Sequence, residues 1–292
     1  DSHYAIASRA LAAGLDVICD KPLTNDLDSA RRLAEEVRAS GRVLVLTHNY
    51  SGYPMTRQAR AMIQAGELGA IRLVHVSYVQ GSLATRVEDD PGSVPSRLRW
   101  RLDPGKGGTS HVMGDIGTHA HQLATFVTGR AVTRVMADVG ALVPGRTAHD
   151  TGMALFEMAG GAKGVFLATK VANGAENALT LEVYGEDGGL FWEQASLNTL
   201  RVMRNGHPAQ LLTRGLPILH PLARRAARIH EGFANLYADF AQLVAARLAG
   251  VAPDPLCQHV PTAADGAAGL AFIDACLRST AEGRWLDVPA LA

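Results

Sequence analysis

A short apolar run, Val17-Ile18-Cys19, leads directly into Asp20-Lys21-Pro22-Leu23-Thr24. Much further on, Gly114-Asp115-Ile116-Gly117-Thr118-His119 offers a carboxylate and an imidazole one helical turn apart. A strand end that delivers an ammonium and a helix start that delivers these two groups can gather three proton-handling side chains around one small polar substrate. A second chemistry is open to the same stretch. His111, Asp115 and His119 recur at four-residue intervals with His121 nearby, and such donors can hold zinc or manganese. Gly107, Gly108 and Gly114 argue against a continuous helix through 111–119, and no further ligand pair is evident, so no metal is expected.

The elements that must position these groups follow from apolar spacing. Tyr4, Ile6, Ala7, Ala10 and Leu11 recur at helical intervals as far as Gly14, which predicts a helix over 3–13. Val17–Cys19 reads as a short buried strand. Residues 26–40 form a second helix with Leu27, Ala30, Leu33, Ala34 and Val37 on one face, Asp26 and Asp28 at its start, and Gly41 just past its end. Val43-Leu44-Val45-Leu46 is another wholly apolar strand. Helix–strand–helix–strand with such strands indicates a parallel sheet covered on both faces, the later half of a doubly wound domain. A third helix, 54–65, ends at Gly66-Glu67-Leu68-Gly69.

From residue 70 the texture changes. Alternation over 71–79 predicts a long strand. After a helix at 115–128, strand-like runs follow at 131–143, 152–158, 162–171, 178–184 and 189–193, with weaker ones near 198–203 and 208–213. These make a largely antiparallel sheet. An amphipathic helix over 230–248 carries Phe233, Leu236, Tyr237, Phe240, Leu243 and Val244, and a last helix covers 262–282. The expected fold is α/β plus α+β: residues 1–50 supply part of a doubly wound domain, and 51–292 a large open-sheet domain with helices on one face. The last helix is expected to pack back on the first part. Residues 81–110, rich in Gly, Pro and Ser, read as a long functional loop.

Composition sets bounds on all of this. With 47% hydrophobic and 19% charged residues, the chain builds a packed core rather than remaining disordered. Its 28 basic and 28 acidic side chains cancel, which argues against a nucleic-acid or anionic-membrane partner. No apolar run approaches the roughly eighteen residues of a membrane helix. Cys19, Cys257 and Cys276 form no Cys-x-x-Cys pair and read as free thiols of a reducing cytoplasm.

Taken together, Asp20-Lys21-Pro22-Leu23, His48-Asn49-Tyr50, Gly66-Glu67-Leu68-Gly69, Trp100-Arg101 and Gly114–His119 resemble the Gfo/Idh/MocA oxidoreductases, relatives of glucose–fructose oxidoreductase and inositol dehydrogenase. The likeness covers nearly the whole chain in element order and is most specific over 1–130. The family's Glu-Lys-Pro motif stands here as Asp20-Lys21-Pro22, and Asp115 with His119 matches its Asp-x-x-x-His pair. The resemblance implies NAD or NADP as cofactor, a sugar, inositol or similar polyol as substrate, and a homodimer or homotetramer formed through the C-terminal sheet, whose exposed face would be apolar. Family members hold the cofactor pyrophosphate on a strand, a Gly-rich turn and a helix, yet no Gly-x-Gly-x-x-Gly follows a strand within 1–292. Two expectations stand side by side: a piece of a longer enzyme, or a natural truncation that survives as a non-catalytic sugar-binding or dimerising module.

Oxidising a secondary alcohol needs a proton acceptor at the hydroxyl and a hydride acceptor opposite the carbinol hydrogen. Imidazole suits the first task because its reference pKa is about 6.5. The roles expected are His119 as general base, Asp115 as its orienting partner and Lys21 as donor to the substrate oxygen or the nicotinamide ribose. A helix N-terminus and Asp115 would act on His119 in opposite senses and leave it neutral. Pro22 fixes the backbone after the lysine. Expected cofactor contacts are His3, Asp20, Lys21, Pro22, Asn49, Trp100 and Arg101; expected substrate contacts are Lys21, Tyr50, Asp115, His119 and Asn177. Each has a plainer reading as well. Asp115 suits a helix cap, His119 a packed histidine, Lys21 a solvated charge, and Trp100-Arg101 an aromatic–cation pair. Asn49 and Tyr50 suit a turn, Asn173 and Asn177 a hairpin loop, and His3 a cap. Their joint order favours catalysis.

Overall fold

The computed structural model describes residues 2–89, 110–216, 219–224 and 231–290. The chain opens with α1 (His3–Ala12), β1 (Val17–Cys19), α2 (Leu27–Ser40) and β2 (Leu44–Leu46). Helix α2 starts where the Asp26 carboxylate accepts the Ser29 N–H at 2.7 Å and stops at Gly41, whose φ of 61° suits glycine. Strands β1 and β2 pair in parallel, from Val17 with Leu44 to Cys19 with Leu46. Asp20-Lys21-Pro22 and Thr47-His48-Asn49 therefore emerge together at the carboxyl ends of the strands, the side on which open α/β sheets bind ligands. A 3₁₀ turn, Asn49–Gly52, leads into α3 (Pro54–Gln64), which has its proline in the first turn.

A nine-stranded sheet follows, comprising β3 (Ile71–Val79), β4 (Val132–Gly140), β5 (Thr151–Met158), β6 (Lys163–Thr169), β7 (Ala178–Gly185), β8 (Gly188–Glu193), β9 (Thr199–Arg204), β10 (Gln210–Thr213) and β11 (Leu286–Asp287). Their spatial order is β10-β9-β8-β7-β3-β6-β5-β4-β11, with β11 an addition that the sequence did not announce. Every pair is antiparallel except β3 with β6. Val79 lies opposite both Thr169 and Ala178, so Gln80, Lys170 and Asn177 leave the sheet side by side. Val74, Val76 and Tyr78 of β3, Phe166 and Ala168 of β6, and Leu179, Leu181 and Val183 of β7 are buried against the helices. The opposite face leaves Leu73, Met153, Leu155 and Val165 between 40% and 51% exposed.

One helix begins earlier than its apolar spacing suggests. The chain turns helical at His111, widens into a π turn over Met113–Gly117, and continues as α4 (Thr118–Thr128). Glycine does not break it. Gly114 donates its N–H to the Ser110 carbonyl at 2.9 Å, and a side chain at Gly117 would crowd Met113 and Phe166 at 3.3–3.4 Å. Asp115 thus sits inside a π turn, a device common at functional sites, and is not a helix cap.

Two long helices close the structure. In α5 (Glu231–Ala249), Leu236 and Asp239 are buried, but Tyr237, expected on the apolar face, is 45% exposed. The helix instead docks along Gly232, where any side chain would come within 2.6 Å of the Asn49 carbonyl. Helix α6 (Ala263–Glu282) starts with a reciprocal Thr262–Asp265 capping box and packs on α2, α4, β2 and β4. Gly266 lets it approach Leu23 and Leu46, and Pro261 accepts the Leu46 N–H at 2.9 Å. By length and composition the 255–282 segment could cross a membrane, contrary to the sequence expectation, but 67% of its apolar window is buried inside the protein, as in a core helix.

Candidate active site

Lys21 leaves β1 and reaches the π turn. Its Nζ donates to the Asp115 carbonyl at 2.6 Å and to Oδ1 of the same residue at 3.0 Å. Both side chains keep about a seventh of their surface open (15% and 14%), so the pair is not sealed in the core. The other oxygen, Oδ2, accepts from Nζ of Lys170 at 2.6 Å. Sequence reasoning made Asp115 the orienting partner of His119. The structure also brings this carboxylate to two ammonium groups, those of Lys21 and Lys170.

His119 follows one turn later and is buried. Its Nδ1 lies 3.5 Å from Nδ1 of His48, which projects from the end of β2, and the two rings meet edge to face. The Tyr50 ring contacts the His119 ring at 5.0 Å, also edge to face. Behind it the Tyr50 and Tyr78 hydroxyls are hydrogen-bonded at 2.7 Å, with the Asn177 side chain beside them. Asn177 Oδ1 also accepts from Gln80 Nε2 at 2.7 Å.

Burial dominates the electrostatics. It pushes the His119 pKa well below the usual imidazole value, assisted by the positive Lys21 and by His48, with Asp115 opposing. For His48, burial followed by Lys21 and His121 lowers it to about 3. Both rings are therefore neutral at ordinary pH. Neutrality of His119 was expected, but its cause is burial beside Lys21, because the helix start lies further back at His111. Two neutral imidazoles meeting Nδ1 to Nδ1 must divide the roles of donor and acceptor, so His48 fixes the tautomer of His119. Burial raises the Tyr50 and Tyr78 pKa values, keeping both phenols protonated.

Other expected residues occupy more peripheral places. His3 Nδ1 lies 2.8 Å from the Pro22 carbonyl, and the Lys21–Pro22 peptide is cis. Asp20 accepts from the Lys21 N–H at 2.9 Å and from the Thr47 hydroxyl, joining the ends of β1 and β2. Asn49 is buried and donates to the Tyr53 hydroxyl at 3.4 Å, away from Lys21. Cys19 is a buried thiol whose pKa burial raises to about 11, in keeping with inert packing. Trp100 and Arg101 lie outside the described residues. Among those residues no group of His, Cys, Asp and Glu could hold a metal ion, so His111, Asp115 and His119 do not form the alternative metal site.

Sequence reasoning missed Lys170, His48, Tyr78 and Gln80. For Lys170 a signal existed. Gly164, Phe166 and Ala168 are the inward positions of β6, and Lys170 continues that parity, so a lysine stands where an apolar residue belongs.

Comparison with known proteins agrees with the fold. Residues 1–59 match the oxidoreductase family with an NAD-binding Rossmann fold, and residues 56–191 match the GFO/IDH/MocA C-terminal domain. The crystal structure of an oxidoreductase from Sinorhizobium meliloti superposes with a TM-score of 0.83 at 38% identity, over 98% of this chain and 76% of that one. An inositol dehydrogenase homolog from Azotobacter vinelandii, complexed with NAD+, gives 0.88 at 34% identity over 98% and 75%. Levoglucosan dehydrogenase of Pseudarthrobacter phenanthrenivorans is 25% identical over 99% of this chain and 78% of its own length.

Proposed function

This chain belongs to the GFO/IDH/MocA oxidoreductase family, and from that premise we propose that it transfers a hydride between NAD and a secondary hydroxyl of a sugar, inositol or related polyol. The observation that carries this reading is that Lys21, at the carboxyl end of β1, meets Asp115 and that both act on His119. The residues there suit the nicotinamide end of the cofactor. Lys21 is a partly exposed ammonium donor for ribose or substrate oxygen, and Asp20, Pro22 and His3 form the strand-end shelf beside it. NAD, when bound, accepts the carbinol hydrogen with its two electrons.

In the oxidation direction His119 takes the hydroxyl proton. This role requires the tautomer in which His119 Nδ1–H donates to His48, leaving the Nε2 lone pair to accept the proton. Lys21 donates to the same oxygen as negative charge grows there, and Asp115 holds that ammonium in place. The C=O bond forms from the O–H electron pair while the C–H pair leaves with the hydride. Tyr50 and Asn177 offer hydroxyl and amide groups to the remaining polyol hydroxyls. Residues 1–50 serve as the cofactor side and 51–292 as the substrate side.

Further parts of the reading rest on other features. A second copy covers the exposed row Leu73, Met153, Leu155 and Val165, since apolar side chains on neighbouring strands make a self-complementary patch. The three free, buried thiols suit a cytoplasmic enzyme. The test is a thermal-shift comparison of the full-length protein with NAD and NADP, followed by a polyol panel read at the absorbance of reduced nicotinamide. Absence of both a NAD shift and any turnover refutes the proposal.

A further inference from the structure

Lys170 is the first residue beyond β6, and only 2% of it is exposed. An ammonium so buried is costly unless ionic and hydrogen-bonding partners surround it. Here Nζ donates to Asp115 Oδ2 at 2.6 Å and to Gln80 Oε1 at 3.2 Å. Its main chain is pinned as firmly: Lys170 N donates to the Asp150 carbonyl at 2.9 Å, and its own carbonyl accepts from Leu83 at 2.9 Å. Asp150 is fully buried and is itself held by Arg146 Nη1 at 3.0 Å and by the Leu142 and Val143 N–H groups. Lys170 thus approaches Asp115 from a rigid sheet margin, whereas Lys21 approaches from the other sheet.

We propose that Lys170 is a positioning residue of the active site: by gripping Asp115 Oδ2 it stops the carboxylate from rotating, and so fixes the place of the Lys21 ammonium on Oδ1 and the charge felt by His119. This deepens the dehydrogenase reading and rests on it for its kinetic consequences. Lys170 itself is too enclosed to touch substrate. Two ammonium groups on one carboxylate beside a neutral imidazole suit an oxygen gaining negative charge.

The consequence for pH follows from the groups that face His119: Lys21 from β1, His48 from the end of β2, Tyr50 from the 3₁₀ turn, Tyr78 from β3, and Asp115 on its own helix, with Lys170 behind Asp115. Of these, Asp115 favours the imidazolium. Without Lys170 its negative charge is less compensated, so protonation of His119 becomes easier.

The experiment uses full-length protein and the variants Lys170→Met and Gln80→Leu, the second removing the other support of the Lys170 ammonium. For Lys170→Met we expect kcat to fall between about 10- and 100-fold, as displaced catalytic groups do, with KM within about threefold of wild type. The acid limb of kcat should move to higher pH. Independently of turnover, the His119 ring resonance in cofactor-free protein should titrate at higher pH than in wild type. A smaller change of the same sign is expected for Gln80→Leu. Wild-type kcat together with an unshifted His119 titration in Lys170→Met overturns the proposal. If Lys170→Met loses its cooperative melt, Gln80→Leu decides by the same two readouts. Should the wild-type protein oxidise no polyol, the function reading fails, and the His119 titration alone then upholds or refutes the role of Lys170.

Discussion

Lys21 Nζ and Asp115 Oδ1 meet at 3.0 Å across 94 residues of sequence, one from a parallel strand end and the other from a π turn. Neither element would place its side chain there for packing reasons alone, since both side chains stay partly exposed. Lys21→Ala and His119→Ala should each lower kcat by about 10²–10⁴-fold, the usual range for a removed proton-transfer group, with melting temperatures close to wild type. Steady-state kinetics beside thermal melts checks this, and unchanged kcat in both variants sinks the assignment.

Asn177 lies beside the Tyr50 and Tyr78 hydroxyls and accepts from Gln80, behind the reacting trio. Asn177→Ala should therefore raise KM for the polyol by about tenfold while leaving kcat nearly unchanged, the pattern of lost uniform binding. An equal loss in kcat would instead place Asn177 among the groups that act on the transition state.

Three histidines are buried in their neutral form, with pKa values near 3 for His48, near 4 for His121 and well below the ordinary value for His119. Unfolding returns each to about 6.5. Above that pH both states are neutral and these rings add no pH dependence. Below it the unfolded chain binds protons that the folded chain refuses, so stability falls as pH drops toward 4. The loss is at most about 1.4 kcal/mol per pH unit for each ring. Denaturation midpoints measured from about pH 7 to about pH 5 should decline accordingly, and His121→Asn should make the decline shallower by about one proton.

Arg57 and Asp239 form a buried ion pair at 2.8 Å, with 1% and 0% of their side chains exposed. Arg57 also donates to the Ser51 carbonyl at 2.8 Å and the His259 carbonyl at 3.1 Å, so it ties α3, α5 and the approach to α6 together. Asp239→Ala leaves the guanidinium uncompensated and should cost about 3–5 kcal/mol, measured by chemical denaturation. Loss of under about 1 kcal/mol would mean that water reaches Arg57.

Leu155 stands at 51% exposure in the middle of the outer sheet face. If two copies pair there, Leu155→Lys should halve the mass seen by light scattering without lowering kcat more than about threefold, because the charge desolvates only at the interface. A wild-type monomer, or an assembly indifferent to this change, removes the interface from that face.

Much of this was legible in the chain. The apolar runs at Val17–Cys19 and Leu44–Leu46 gave the parallel pair, and alternation from Ile71 to Val79 gave β3, because burial imposes its period on sequence. Lys21, Asp115 and His119 stood out by their spacing to strand end and helix. The start of the helix at His111 was hidden by Gly114, since a π turn accepts glycine where a regular helix is weakened by it. His48 stood out only within the strand-end stretch His48-Asn49-Tyr50, and its pairing with His119 was hidden because β2 is apolar on both faces and offers no parity to break. The link from Asp115 to Lys170 depends on the parallel register of β3 and β6, a long-range pairing that local pattern does not encode.

That single parallel pairing also bears on how such a protein can diversify. The connectors after β3 and β6 and the entry to β7 all open on one margin of the sheet, while Met158 and Lys163 at the far end are joined by a tight hairpin. Lengthening or trimming those connectors beyond Gln80, Lys170 and Asn177 would reshape that margin while leaving the strands themselves in place. A lineage built this way can change diet by editing its margins.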